Sequence, residues 1–254
     1  MKDPVVMIGA GEMGGVFARG LLRLGYPVYP LTRNMDPEEL AKAVPNPVLT
    51  LVSVGENDLH PVLESLPQAW RDRTGLLQNE LLPRDWQQHG LADPTVIAVW
   101  FEKKKGQDYK VLIPSPAFGP QAALLEQALA SLDIPVRIVD SAGQMEFELV
   151  RKNVYILTTN IAGLVIGGTV RDLWYDNEPL AREVANEVID IQQWLTDREY
   201  DREALIAGMV EAIEGDLDHK CMGRSAPGRL KRAIGHADEA GLAVPKLREI
   251  HKAQ

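Results

Sequence analysis

The sequence predicts an α/β protein in two parts. Residues 1–140 read as an N-terminal domain with a mainly parallel sheet covered by helices on both faces, and residues 141–254 as an all-helical C-terminal domain. Three observations carry this. A glycine turn, Gly9-x-Gly11-x-x-Gly14, joins an apolar run to a helical pattern; short apolar runs then alternate with helical patterns as far as Asp140; from Gly143 onward only helical periodicity remains.

In chain order, Val5 to Ile8 is a predicted strand, and Met13, Val16, Phe17, Leu21, Leu22 and Leu24 mark the helix after the turn. Gly25 ends that helix, and Val28 to Leu31 is the second strand. A short helix from Pro37 to Ala43, an apolar run from Val48 to Val54 and a helix from Asn57 to Leu66 follow. Gly75-Leu76-Leu77, Thr95 to Phe101, Tyr109 to Ile113 and Val136 to Val139 complete the strands, with a helix from Pro120 to Leu132. Their apolar character suits a sheet buried on both faces. The second part reads as helices over Gln144 to Ile166, Pro179 to Leu195, Arg202 to Leu217, Ala226 to Ala240 and Lys246 to His251.

With 254 residues and 45% hydrophobic content, the chain can bury a sizeable core. A net charge of −9 argues against nucleic acid as a partner, and the short basic run Lys103-Lys104-Lys105 reads as an exposed turn. One cysteine, Cys221, excludes an intramolecular disulfide and fits a reducing compartment; with no signal pattern, a cytoplasmic location is expected. Val154 to Gly168 is too short and polar for a membrane span. No metal site is expected, since the histidines are scattered and His219-x-Cys221 is an isolated pair.

The glycine turn carries the chemistry. Gly9 permits a tight turn, Gly11 lets the backbone approach a pyrophosphate, and Gly14 lets the helix lie against the strand, so Gly9, Ala10, Gly11, Glu12, Met13 and Gly14 form a candidate Rossmann-type dinucleotide site. The competing reading is a glycine-rich turn that binds nothing. About 20 residues on, a site selective for the unphosphorylated cofactor presents an acid. Here the chain has Thr32-Arg33-Asn34, so Arg33 is placed to clamp a 2′-phosphate and the expected cofactor is NADP. Alternatively Arg33 is a solvated loop residue and Asp36 accepts the ribose.

Carbonyl reduction also needs a proton donor. Lys152 follows Arg151 on an otherwise increasingly apolar helix, with Tyr155 and Thr159 on nearly the same face and Asn160 to one side. A desolvated lysine there could serve as general acid, or it could be a salt-bridged or snorkelling side chain. Asn153, Thr158, Thr159 and Asn160 share the ambiguity, because buried polar groups often only satisfy one another.

The glycine turn, Arg33, Asn79 after Leu76-Leu77, Lys152 and Asn160 on the first long helix, and Gly241 to Pro245 near the end occur in the order seen in ketopantoate reductases, which the chain resembles over nearly its whole length. The resemblance implies a divergent member of that family, with NADP as cofactor, Asn79 near the nicotinamide and Lys152 as proton donor. Departures accompany it. Ile156 stands where the family has a second asparagine, Ser225 beside Arg224 where it has a substrate-binding glutamate, and Val54-Gly55-Glu56 where it often has a lysine. The opening motif also looks like those of pyrroline-5-carboxylate reductase and the β-hydroxyacid dehydrogenases.

The function expected is NADP-dependent reduction of a small carbonyl compound such as a 2-oxo acid, other than ketopantoate. Asn160, Arg224 and Ser225 are the candidate substrate contacts, a homodimer is the expected assembly, and no membrane partner is expected. The alternatives are an NADP-binding protein without catalysis and an imine reductase.

Overall fold

The computed structural model describes residues 2–254, which form two compact units, one ending at Glu148 and one spanning Leu149–Gln254. The first begins with β1 (Val5–Ile8), α1 (Glu12–Arg23), β2 (Val28–Leu31), α2 (Pro37–Ala43), β3 (Leu49–Val52), α3 (Leu59–Glu64), β4 (Thr74–Leu76) and α4 (Pro83–Gln87). It continues with β5 (Thr95–Ile97), β6 (Phe101–Lys103), β7 (Tyr109–Val111), β8 (Ser115–Phe118), α5 (Ala122–Ala130) and β9 (Val136–Ile138). Seven strands form one sheet in the order β2-β1-β3-β4-β5-β8-β9, in which only the β5–β8 pair is antiparallel.

This order makes β1 the point from which the sheet is built outward in both directions. Ile8 is level with Leu31 on one side and with Val52 on the other, so three strands end together and open a crevice at their carboxyl ends. Val5, Met7, Leu49 and Leu51 are buried in the sheet, with Phe17 and Leu21 of α1 and Leu125 and Leu129 of α5 packed in the same cluster. Each such side chain contributes on the order of 2 kcal/mol by leaving water. A Cβ at Gly20 would lie 2.3 Å from the Ala128 carbonyl oxygen, so the α1–α5 approach depends on that glycine.

The stretch expected as a strand from Thr95 to Phe101 is split. β5 ends at Ile97, and Phe101 opens β6, which pairs with β7 in a separate two-stranded sheet. The run from Tyr109 to Ile113 therefore belongs to this hairpin and not to the main sheet, where β8 takes the place beside β5. Pro114 and Pro116 hide β8 from the sequence pattern, because proline removes a ladder donor and demotes a predicted strand. Lys103 ends β6, leaving Lys104 and Lys105 in the turn.

The sequence pattern changes at Asp140, whereas the compact units divide at Glu148, inside α6 (Ala142–Ile166). An ion pair of 2.5 Å from Arg137 to Glu148 ties the start of that helix to the end of β9. The second unit continues through a short π-helical turn, Asp172–Asp176, to α7 (Glu178–Thr196), α8 (Arg202–Gly215), α9 (Ala226–Ala240) and α10 (Pro245–Lys252). Asp197 and Gly241, at φ of 52° and 69°, terminate α7 and α9 in the left-handed region. The Glu187 carboxylate on α7 accepts the amides of Lys246 and Leu247 at 2.8 Å each and so caps α10. No helix among the described residues is long and apolar enough to cross a membrane.

His60 on α3 and His89 beyond α4 bring Nδ1 and Nε2 to 2.9 Å. Burial pushes His89 below the ordinary histidine value; His60 and Arg71 add to this, while Glu64 and Asp85 oppose it. The unfolded chain therefore binds this proton more readily, and the associated stability is present at neutral pH and lost as pH falls below about 6.5 toward the depressed folded value. Denaturant midpoints measured from about pH 7.5 to about pH 5 are expected to fall less steeply in His89→Asn than in the parent chain. Parallel slopes would show that the pair is not responsible.

Candidate functional site

A cavity of about 630 Å³ opens where β1, β2 and β3 end, lined by Gly9, Ala10, Gly11, Arg33, Ser53, Val54, Gly55 and Asp58, with Met35, Val62 and Leu66 among its apolar neighbours. The turn from β1 into α1 forms its floor, and its glycines serve different ends. Gly9 adopts a φ of 94°, open to few L-residues, and its carbonyl accepts from the Ser53 hydroxyl at 2.5 Å. A Cβ at Gly14 would lie 2.4 Å from the Gly9 carbonyl oxygen and 2.6 Å from Ser53 Oγ, so α1 can approach β1 and β3 only without one.

Gly11 is different. Its φ of −77° and ψ of −172° suit any residue, and a Cβ there would meet nothing within 4 Å among the described residues. Gly55, on the opposite wall, also has an ordinary φ, −67°, and open space. Neither packing nor backbone angle requires glycine at these two cavity positions, and both leave the backbone open to the cavity. No side chain caps α1 at Gly11, which leaves the helix's positive end available to an anion.

Arg33 reaches the same cavity and donates from Nη2 to the Asp58 carboxylate at 2.8 Å. Asp36 is engaged elsewhere, since its side chain caps α2 by accepting from the Glu38 amide at 2.8 Å. Glu12 points to the β6–β7 hairpin, 3.1 Å from Lys103 Nζ, and Met13 packs against the sheet core. Asn79 is half-buried, directly after Gln78. Gln78 is the residue that sequence reasoning passed over: it is buried and donates to the Val52 and Val54 carbonyls at 2.7 and 3.3 Å, clamping the segment after β4 to the end of β3. Ser53 and Asp58 were also passed over, because their contacts with Gly9 and Arg33 are distant in sequence.

In the second unit, α6 is buried on every side from Leu149 to Gly163. Lys152 is 3% exposed within this stretch. Its polar neighbours are mostly engaged. Arg151 donates to Glu211 at 2.7 Å and to the Gly208 carbonyl at 3.0 Å, Asn153 to Gln192 at 3.0 Å, and Thr159 to the Tyr155 carbonyl at 2.8 Å. Thr158 Oγ1 has no hydrogen-bond partner among the described residues. Asn160 Oδ1 accepts from Arg229 Nη1 of α9 at 2.9 Å. Arg224 and Ser225 are exposed, just before α9. The buried Arg229 was missed, although its place on the stripe of Ala226, Leu230, Ala233 and Ala237 signals an inward face.

Cys221 is also buried, and its thiol donates to the Thr169 carbonyl at 2.9 Å. Burial first, and Asp172 second, push its pKa up to about 12, so it is an unreactive thiol. Among the described residues no group of three or more His, Cys, Asp or Glu side chains could hold a metal ion.

No protein-family model matches the chain, and no curated protein matches it by sequence. Solved structures do. The chain is similar to 2-dehydropantoate 2-reductase from Methylococcus capsulatus, with a TM-score of 0.72 and 13% identity over 98% of this chain and 95% of that one. It is also similar to dimeric ketopantoate reductase from Staphylococcus aureus, with a TM-score of 0.64 and 17% identity over 98% and 96% of the two chains. The fold is that of the ketopantoate reductases. D-mandelate dehydrogenase in complex with NADH is another structure of this shape, with a TM-score of 0.66 and 14% identity over 98% of each chain.

Ile156 is a buried apolar side chain on α6, and Ser225 makes no side-chain cap to α9. Val54 and Gly55 form part of the cavity wall without adding a charge.

The two kinds of glycine separate in stability. Gly14→Ala is expected to cost about 1–3 kcal/mol through forced overpacking. Gly11→Ala is expected to cost under about 1 kcal/mol, through a weaker helix cap alone. Urea denaturation of both variants checks this, and equal losses would contradict the finding that packing requires glycine at position 14 and not at position 11.

Proposed function

We propose that this chain is an NADP-dependent oxidoreductase that reduces a small carbonyl compound of the 2-oxo acid class, other than ketopantoate itself. The observation that supports this most is the cavity at the ends of β1, β2 and β3, with Gly11 and Gly55 in its walls and Arg33 at its edge. These residues fit a dinucleotide. The amides from Ala10 to Gly14 would hold the pyrophosphate, Arg33 the 2′-phosphate, and the apolar side of Met35, Val62 and Leu66 the base. Fold neighbours named for 2-dehydropantoate and D-mandelate, one of them bound to NADH, support the 2-oxo and 2-hydroxy acid class.

When bound, the reduced nicotinamide supplies a hydride to the carbonyl carbon. Lys152 holds a proton on Nζ for the carbonyl oxygen, and its burial keeps bulk water from competing for that role. Asn79 borders the nicotinamide. Asn160, held by Arg229, and the exposed Arg224 and Ser225 are the substrate contacts, with the Arg224 guanidinium suited to a carboxylate. A second reading, cofactor binding without turnover, is favoured by one observation: Ile156 puts an apolar side chain beside the Lys152 face, where the ketopantoate reductase resemblance calls for asparagine.

A panel of 2-oxo acids, with cyclic imines for comparison, offered with NADPH is expected to show saturable oxidation of the cofactor. Lys152→Ala is expected to lower kcat by about 10²–10⁴-fold while leaving the NADPH dissociation constant within about twofold. Turnover unaffected by the substitution would remove Lys152 from the mechanism. Tight NADPH binding with no substrate oxidised would establish the second reading.

A further inference from the structure

We infer that Asp58 sets cofactor specificity by opposing a 2′-phosphate, so that the chain discriminates less between NADPH and NADH than Arg33 alone would impose. The inference rests on the cofactor site proposed above and deepens it. Among the described residues lining the cavity, Arg33 is the only lysine or arginine and Asp58 the only acid, so the formal charges of these two cancel. They face each other at 2.8 Å, with Arg33 89% and Asp58 49% exposed at the side chain. A pair this exposed adds little to stability, which leaves its influence on a charged ligand as its main consequence.

The two partners are not equally mobile. Asp58 is delivered by a tight helical turn, Glu56–Asp58, whose last amide bonds to the Gly55 carbonyl at 3.0 Å. Arg33 extends from the exposed turn of residues 32–34 and can move. A phosphate that engages the guanidinium must share it with a carboxylate that stays on the wall, and phosphate and carboxylate repel each other. The ribose hydroxyl of NADH carries no charge and meets no such opposition. The residue that usually distinguishes the two cofactors lies at the end of the second strand. Here an acid from the segment after β3 counters it.

Dissociation constants of NADPH and NADH, measured by fluorescence titration of the full chain at low salt, test this. Asp58→Asn is expected to tighten NADPH binding by about tenfold and to change NADH by less than about twofold. Asp58→Ser is expected to give the same ordering, and Arg33→Ala in the Asp58→Asn background to abolish the gain. Equal changes for both cofactors, or weaker NADPH binding in Asp58→Asn, would overturn the inference while leaving the cofactor site in place. A parent chain that binds neither cofactor would overturn both.

Discussion

The approach of α1 to the ends of β1 and β3 is the constraint on which the first unit depends. At its start, Gly14 lies so close to the Gly9 carbonyl and Ser53 that no side chain can be inserted. Further along, Gly20 is pressed in the same way against the Ala128 backbone of α5. Two points fix a rod. With α1 held at both, Phe17 and Leu21 between them are committed to the core, and the helix's uncapped start is held at the mouth of the crevice. The same packing that stabilises the sheet thus holds the uncapped amides of the helix start in fixed positions.

The second unit solves a different problem. From Leu149 to Gly163, α6 is buried on all sides yet carries arginine, lysine, asparagine and threonine side chains. Leaving such groups unpaired in a core costs about 1–3 kcal/mol each, and more for charges. The chain meets this by giving several of them partners on other helices: Glu211 and Gly208 on α8, Gln192 on α7 and Arg229 on α9. Gly208 is part of the arrangement, since a Cβ there would lie 2.5 Å from Arg151 Nε. These pairs fix the rotation of α6 about its axis more sharply than apolar packing would. Lys152 shares that fixed rotation.

Features legible in the sequence were those whose causes are local. The β1-α1-β2 unit could be read because strand, turn and helix signals adjoin, and α7, α8 and α9 because each carries its own period and end signals. β8 could not, since Pro114 and Pro116 mimic a loop, and the split of the run from Thr95 to Phe101 depends on pairing with β7 and β8. At the candidate site, Gly9, Gly11 and Arg33 lie within a single supersecondary unit and could be placed on one cavity. Ser53, Asp58, Gln78 and Arg229 act across 25 to 69 residues of sequence, where periodicity carries no information. Glu12 shows the reverse limit: its position in the turn was readable, but its engagement with Lys103 on a hairpin was not.

The same distinction explains how a chain that matches no family model can share a fold at 13–17% identity. The sheet needs apolar residues of suitable size, and many substitutions meet that need as long as volume and pattern are kept. A dinucleotide site of this kind asks even less of side chains, because its donors are backbone amides and a helix end. In the turn of this chain, packing constrains the identity of Gly14 and backbone angle that of Gly9. Recognition of a particular small molecule is the opposite case, since it depends on particular side chains. Sequence can therefore drift until only the glycine turn remains recognisable, while the fold persists.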